Sequence, residues 1–353
     1  MKAGSCKAMF ATVLAFVFMA PHASFGASLL VVAFGDSLID AGTYSPFAKA
    51  LFGGGRFTTN PGLNFAQDVA LHYGSSLTPA FVGGFGKPLA PAGGLDYAQG
   101  GSRVTMQPGI GHAPPGTKNP DYAAETTVPV KDQVAAYLAA HGRFNPGQLV
   151  LINGGANDVF FQLAAAEKAG TQEALLAALK AIAQSAVDLA EIVDTLAAHG
   201  ATQIVVMNLP DIGSTPFGVF SPDHGQLLRE ASLLFNATLA AALPFDQYRY
   251  RANITLIDAF SFADRTIANF RTFGFSASNT ALACNLEAQV GKAKRLGLPD
   301  PSQFATSLFC SPQTYVAPGA AYSFMFADGV HPTTHLNALF ALFVEQQIAG
   351  KIW

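Results

Sequence analysis

The chain has 353 residues, of which 50% are hydrophobic and only 12% charged, against about 25% charged residues in an average soluble domain. That apolarity excludes a disordered chain. With 20 Lys+Arg against 23 Asp+Glu and no basic block, a nucleic-acid partner is excluded as well.

At the N-terminus, Lys2 and Lys7 flank the start of an apolar run over residues 8–20, about 13 residues long and too short to cross a bilayer as a helix. Pro21 ends the run, and Ser24, Gly26 and Ala27 offer small residues for cleavage. A signal peptide over residues 1–27 is expected, with a secreted or periplasmic mature chain over 28–353. Cleavage would remove two lysines and no acid, leaving 18 Lys+Arg against 23 Asp+Glu, a formal charge of −5. No later run reaches membrane-spanning length, so no transmembrane segment is expected in the mature chain.

Four continuous apolar runs then read as buried parallel strands: 29–34, 149–152, 204–207 and 254–257. Between them, apolar residues at three-to-four spacing predict helices over 64–73, 171–198, 227–243 and 334–348. The alternation points to an α/β fold, and its continuity to a single domain. Two segments break the rhythm, a Gly/Pro-rich one over 74–121 and an aromatic-rich one over 269–322. Each is longer than an ordinary connection and is expected to be a site-shaping insertion. Cys6 would leave with the signal peptide, so Cys284 and Cys310 remain as the cysteines of an exported chain. They are expected to form a disulfide, the alternative being two unrelated buried thiols.

The chemistry is concentrated at the strand ends. The first strand runs into Gly35-Asp36-Ser37-Leu38, which places Ser37 on the edge of the sheet where ligands bind in this fold class. No Gly-x-Ser-x-Gly occurs in the chain, which argues against an α/β-hydrolase nucleophile elbow. Near the other terminus stands Asp328-Gly329-Val330-His331-Pro332. Its spacing lets Asp328 reach Nδ1 of His331 and so present Nε2 to a serine hydroxyl. Gly155-Ala156-Asn157-Asp158 follows the second strand, and Tyr97-Ala98-Gln99-Gly100-Gly101-Ser102 supplies paired glycines. Both can furnish oxyanion donors. Asn157 could instead cap a helix, and Asp158 is read as structural. His331 and His335 have the spacing of a zinc pair, but Pro332 intervenes and no third ligand is near.

These four blocks, in this order, resemble the SGNH hydrolase superfamily, the GDSL esterases and lipases. The segment Asn208-Leu209-Pro210-Asp211-Ile212-Gly213-Ser214-Thr215-Pro216 resembles the larger secreted phospholipase, lecithinase and hemolysin-like branch. The resemblance implies a flavodoxin-like three-layer α/β/α sandwich around a five-stranded parallel sheet. It implies a catalytic triad of Ser37, Asp328 and His331, an oxyanion hole of Ser37, Gly100 and Asn157, and no cofactor or metal. Gly101 fits the second position almost as well as Gly100, and Asp96 stands where the family usually carries Asn. The expected activity is that of a secreted serine esterase or lipase acting on a small-molecule or lipid ester. The alternatives are an acyltransferase or phospholipase with the same triad, and a secreted binding protein without catalysis. Phe270, Phe273 and Phe275, with Phe81 and Phe85, are candidates for an apolar wall around an acyl chain, or else ordinary core.

Overall fold

The computed structural model describes residues 29–243 and 251–351; the expected signal peptide lies outside them. Four strands, β1 (Leu30–Phe34), β4 (Gln148–Ile152), β5 (Gln203–Met207) and β6 (Asn253–Ile257), form a parallel sheet in the order β1-β4-β5-β6. The pairing keeps strict register, with Phe34 opposite Ile152 and Ile152 opposite Val206. Because side chains alternate along a strand, the sheet buries two faces. Val32, Phe34, Val150, Ile152, Ile204 and Val206 enter one core and Val31, Ala33, Leu149, Leu151, Val205 and Met207 the other. This is why the strands carry unbroken apolar runs rather than alternating ones.

The first core is covered by α3 (Val130–His141), α4 (Ala156–Ala169), α5 (Gln172–Ala198) and α6 (Gln226–Ala242). The second is covered by α2 (Phe65–His72) and α9 (Thr334–Ile348). The result is a three-layer α/β/α sandwich. Local chemistry sets the helix starts: Asn64 and Gln67 form a capping box on α2, and the Thr171 and Thr333 hydroxyls cap α5 and α9.

The expected fifth strand is present only as a single bridge. Ala33 donates to the Leu95 carbonyl and accepts from Tyr97 N–H, and Gln99 N–H reaches Gly35, so residues 95–99 run beside β1 on the sheet edge. Here the Asp96 carboxyl accepts the N–H groups of Ala41 and Ala98, tying this edge to the turn after β1. Both donors are backbone amides, so the acceptor oxygens of Asp96 fill the position where the family usually has Asn.

The two irregular segments contain structure of their own. The first holds the antiparallel hairpin β2 (Phe81–Gly84) and β3 (Lys87–Pro91). The second holds β7 (Ala277–Leu282), α8 (Leu286–Arg295) and short 3₁₀ turns, and β7 pairs with β8 (Phe324–Phe326). Cys284 and Cys310 are joined by a disulfide and are buried with Ala327, next to Asp328. Among the described residues, five helices of eight or more residues escaped the sequence pattern: α1 (Ser45–Phe52), α3, α4, α7 (Ala259–Ala268) and α8.

Candidate active site

The turn after β1 is built around the backbone of Gly35. The Gln133 side-chain amide bonds both its N–H and its carbonyl, each at 2.8 Å. A Cβ on Gly35 would run into Oδ1 of Asn153, so only glycine fits. Asn153 in turn binds Asp36 through Nδ2 at 2.8 Å and through Asp36 N–H. The Asp36 carboxylate also takes Leu38 N–H at 3.0 Å. Burial, partly offset by these bonds, raises the Asp36 carboxyl above its ordinary value. Asp36 thus holds the turn and leaves Ser37 at its tip.

Ser37 Oγ lies 2.9 Å from His331 Nε2. The other ring nitrogen, Nδ1, lies 2.8 and 2.9 Å from the two oxygens of Asp328. A carboxylate on Nδ1 fixes the tautomer in which Nε2 is the free base. The sequence therefore brings Ser37, Asp328 and His331 together from positions 294 residues apart.

The loop carrying Asp328 and His331 is closed on itself. Ala327 N–H donates to the His331 carbonyl, Thr333 N–H to Met325, and Phe217 N–H to Gly329. Asp328 is 4% exposed and accepts N–H groups from Ser307, Val330 and His331 besides the imidazole. Burial alone would raise its carboxyl. The positive charge and hydrogen bond of His331, with the N–H groups of Val330 and His331, override it and hold Asp328 well below the ordinary carboxylate range. The Phe57 ring covers His331 with centroids 5.0 Å apart.

A cavity of about 310 Å³ opens beside this triad, lined among others by Ser37, Phe57, Phe85, Gly101, Asn157, Phe160 and His331. Among its lining residues, Ser37 and Gly101 have backbone N–H groups with no acceptor among the described residues. Asn157 Nδ2 donates to the Ser102 carbonyl at 2.9 Å, and its second hydrogen is left for the cavity. Asn157 does not cap α4; Gly155 occupies that position. Asp158 ties the neighbouring loop down through Arg103 Nε and Val104 N–H.

Gly100 departs from expectation. Its N–H donates to Asp40 Oδ2 at 2.9 Å, and Gly100 does not line the cavity, whereas Gly101 does. Asp40 accepts the N–H groups of Gly42 and Thr43 as well, so its buried carboxylate claims the amide that the motif alone would assign to an oxyanion. Gly101 has φ of +76°, and a Cβ there would meet the Ile110 carbonyl. Glycine is required at position 101, and of the two only Gly101 lines the cavity with its N–H free of an acceptor among the described residues.

The phenylalanine wall is also corrected. Of the five candidates only Phe85 lines this cavity. Phe270, Phe273 and Phe275 pack with Phe262 and Met325, and Phe81 packs on the main core. The walls come instead from Phe57 and Phe160. His335 bonds the Phe273 carbonyl through Nε2, facing away from any pairing with His331.

The family model described as GDSL-like Lipase/Acylhydrolase matches residues 31–344. The chain belongs to this family. Membership makes it an esterase- or lipase-type hydrolase, and the α/β sandwich with its parallel sheet is the architecture the family implies. No curated protein matches the chain. One solved crystal structure aligns with 91% of this chain and 98% of its own, at 15% identity and a TM-score of 0.35, too distant to bear on the site.

A second cavity of about 100 Å³ adjoins the first. Leu38, Pro210, Thr215 and Val330 line both. Its remaining walls are mostly apolar, among them Phe262, Ala263, Phe326 and Phe340.

Proposed function

We propose that the protein hydrolyses carboxylic esters through an acyl-enzyme on Ser37. The observation that carries this reading is the unbroken relay Ser37 Oγ–His331 Nε2–Asp328, with three donors gathered on the adjoining cavity. Ser37 Oγ attacks the ester carbonyl as His331 Nε2 takes its proton, and the charge that develops on the carbonyl oxygen meets the N–H groups of Ser37 and Gly101 and the Asn157 amide. His331 then protonates the departing alkoxide. Water, deprotonated by the same imidazole, attacks the acyl-enzyme and releases the acid while the proton returns to Ser37. Asp328 stays ionised throughout and stabilises the imidazolium, a role that suits its depressed carboxyl.

Asn157→Ala lowers kcat on p-nitrophenyl acetate by about a hundred- to a thousandfold if its amide meets the oxyanion. A variant with normal kcat and only a reduced melting temperature would assign Asn157 to holding the Ser102 carbonyl alone. Product analysis with a competing alcohol separates hydrolysis from acyl transfer.

In this reading the acyl part enters the second cavity between Leu38 and Val330, next to the residues that flank Ser37 and His331. Ala263→Trp fills that space, and the ratio of kcat/KM for hexanoyl over acetyl esters falls about tenfold. An unchanged ratio in a folded variant would place the acyl chain elsewhere. Export belongs to the same proposal. A buried cystine is at home in an oxidising compartment, and N-terminal sequencing of the mature protein tests the cleavage next to Gly26 or Ala27.

A further inference from the structure

The cavity beside Ser37 contains one ionisable side chain for which the proposed ester hydrolysis has no use. Glu125 is 8% exposed and lines that cavity. Its backbone N–H donates to Gly111, but no described residue donates a hydrogen bond to its carboxyl. The other acids nearby are held by the protein's own groups, although Asp36 Oδ2 is left without a partner. Asp36 holds the nucleophile turn, and Asp40 accepts three backbone N–H groups. Glu125 thus turns an unpartnered carboxyl to the cavity, the kind of group a ligand can complete.

The rest of the cavity narrows what that ligand is. No Lys or Arg is among its lining residues, so apart from the candidate oxyanion donors it offers no fixed positive charge to a phosphate or carboxylate. Its side chains include the rings of Phe57, Phe85 and Phe160, whose faces attract cations. Asp40 lies close enough behind Glu125 for its negative charge to act on it; with burial as the larger cause, Glu125 is raised to about 8. An ammonium group beside Glu125 would offset both effects and draw the proton off. Gly111 makes room for the carboxyl, since a Cβ there would press on its oxygens, and the same loop closes back on Gly101 through Ile110 N–H. Glu125 therefore sits on the wall next to the candidate oxyanion donor.

We propose that Glu125, within this aromatic cavity, selects esters that carry a positively charged nitrogen in their alcohol portion. The proposal rests on the assignment of Ser37 as nucleophile. It is tested with two acetyl esters of matched shape, choline acetate and its uncharged isostere 3,3-dimethylbutyl acetate. The wild-type enzyme prefers the choline ester in kcat/KM by about tenfold or more, and Glu125→Gln, of nearly equal volume, removes most of that preference by raising KM for the charged ester. Independently of any variant, tetramethylammonium chloride competitively inhibits wild-type turnover of the uncharged ester, at concentrations where sodium chloride does not. Equal kcat/KM for the two esters, no inhibition by tetramethylammonium, or a preference that survives in Glu125→Gln each overturns the role of Glu125. Loss of turnover on both esters in the wild type would instead overturn the assignment of Ser37, and the proposal with it.

Discussion

Ser37→Ala abolishes ester turnover, lowering kcat on p-nitrophenyl acetate on the order of 10⁴-fold or more, while the melting temperature stays within a few degrees of wild type. The side chain's hydrogen bond is the one between Oγ and His331 Nε2, and the turn beneath it is held by Gln133, Asn153 and Asp36 rather than by the hydroxyl. Truncation therefore removes the nucleophile and little else. Retained turnover in a folded Ser37→Ala protein would move the chemistry to another residue. Initial rates and a thermal melt on the same preparation decide the matter.

Asp328→Asn has the second largest effect and differs in kind. Without the carboxylate, Nδ1 of His331 no longer has to carry the proton, the ring can take the unproductive tautomer, and kcat falls by about 10⁴-fold. Stability falls too, because Oδ1 and Oδ2 together accept N–H groups from Ser307, Val330 and His331. An amide NH₂ facing one of those donors costs about 1–3 kcal/mol. The pH dependence follows from the sign of the shift. Asp328 is depressed in the folded protein, so its charge stabilises the fold above the unfolded carboxylate value of about 4, and that contribution is lost as pH falls through the lower, folded value. The stability gap between wild type and variant is thus full at neutral pH and narrows below about pH 4. A gap that stayed constant down to the acid transition would show that hydrogen-bond geometry, and not ionisation, sets the cost.

The parts of the molecule that could be read in advance are those where one residue type has one physical meaning over a short span. The runs 29–34, 149–152, 204–207 and 254–257 are strands because a sheet buried on both faces admits only apolar side chains. Ser37, Asp328 and His331 lie in two short loops, and their local spacing already contains the geometry of the relay. The helix α4 was hidden because it begins inside Gly155-Ala156-Asn157-Asp158, a stretch that reads as loop chemistry. The helix α8 was hidden by its charges, set within an aromatic insertion. Gly100 and Gly101 could not be separated because the direction of a peptide N–H depends on Asp40, 60 residues away. Gln133, Asn153 and Ser307 support the site as lone residues in unremarkable surroundings. The one signal for Glu125 is that it is the acid of an otherwise uncharged stretch, Glu125-Thr126-Thr127-Val128-Pro129.

The disulfide bears on how firmly the relay is held. Cys284 N–H donates to Ala327, and Cys310 N–H to Ser307, whose own amide holds Asp328. Both half-cystines thus flank the carboxylate that orients the imidazole, and neither lies in the sheet that defines the fold. A chain with this pair reduced would lack a brace on the segment that sets Asp328, away from the strands of the sheet. Reducing that one bond is therefore expected to lower turnover before it unfolds the sheet, which an activity assay and a far-UV spectrum in reducing buffer would show.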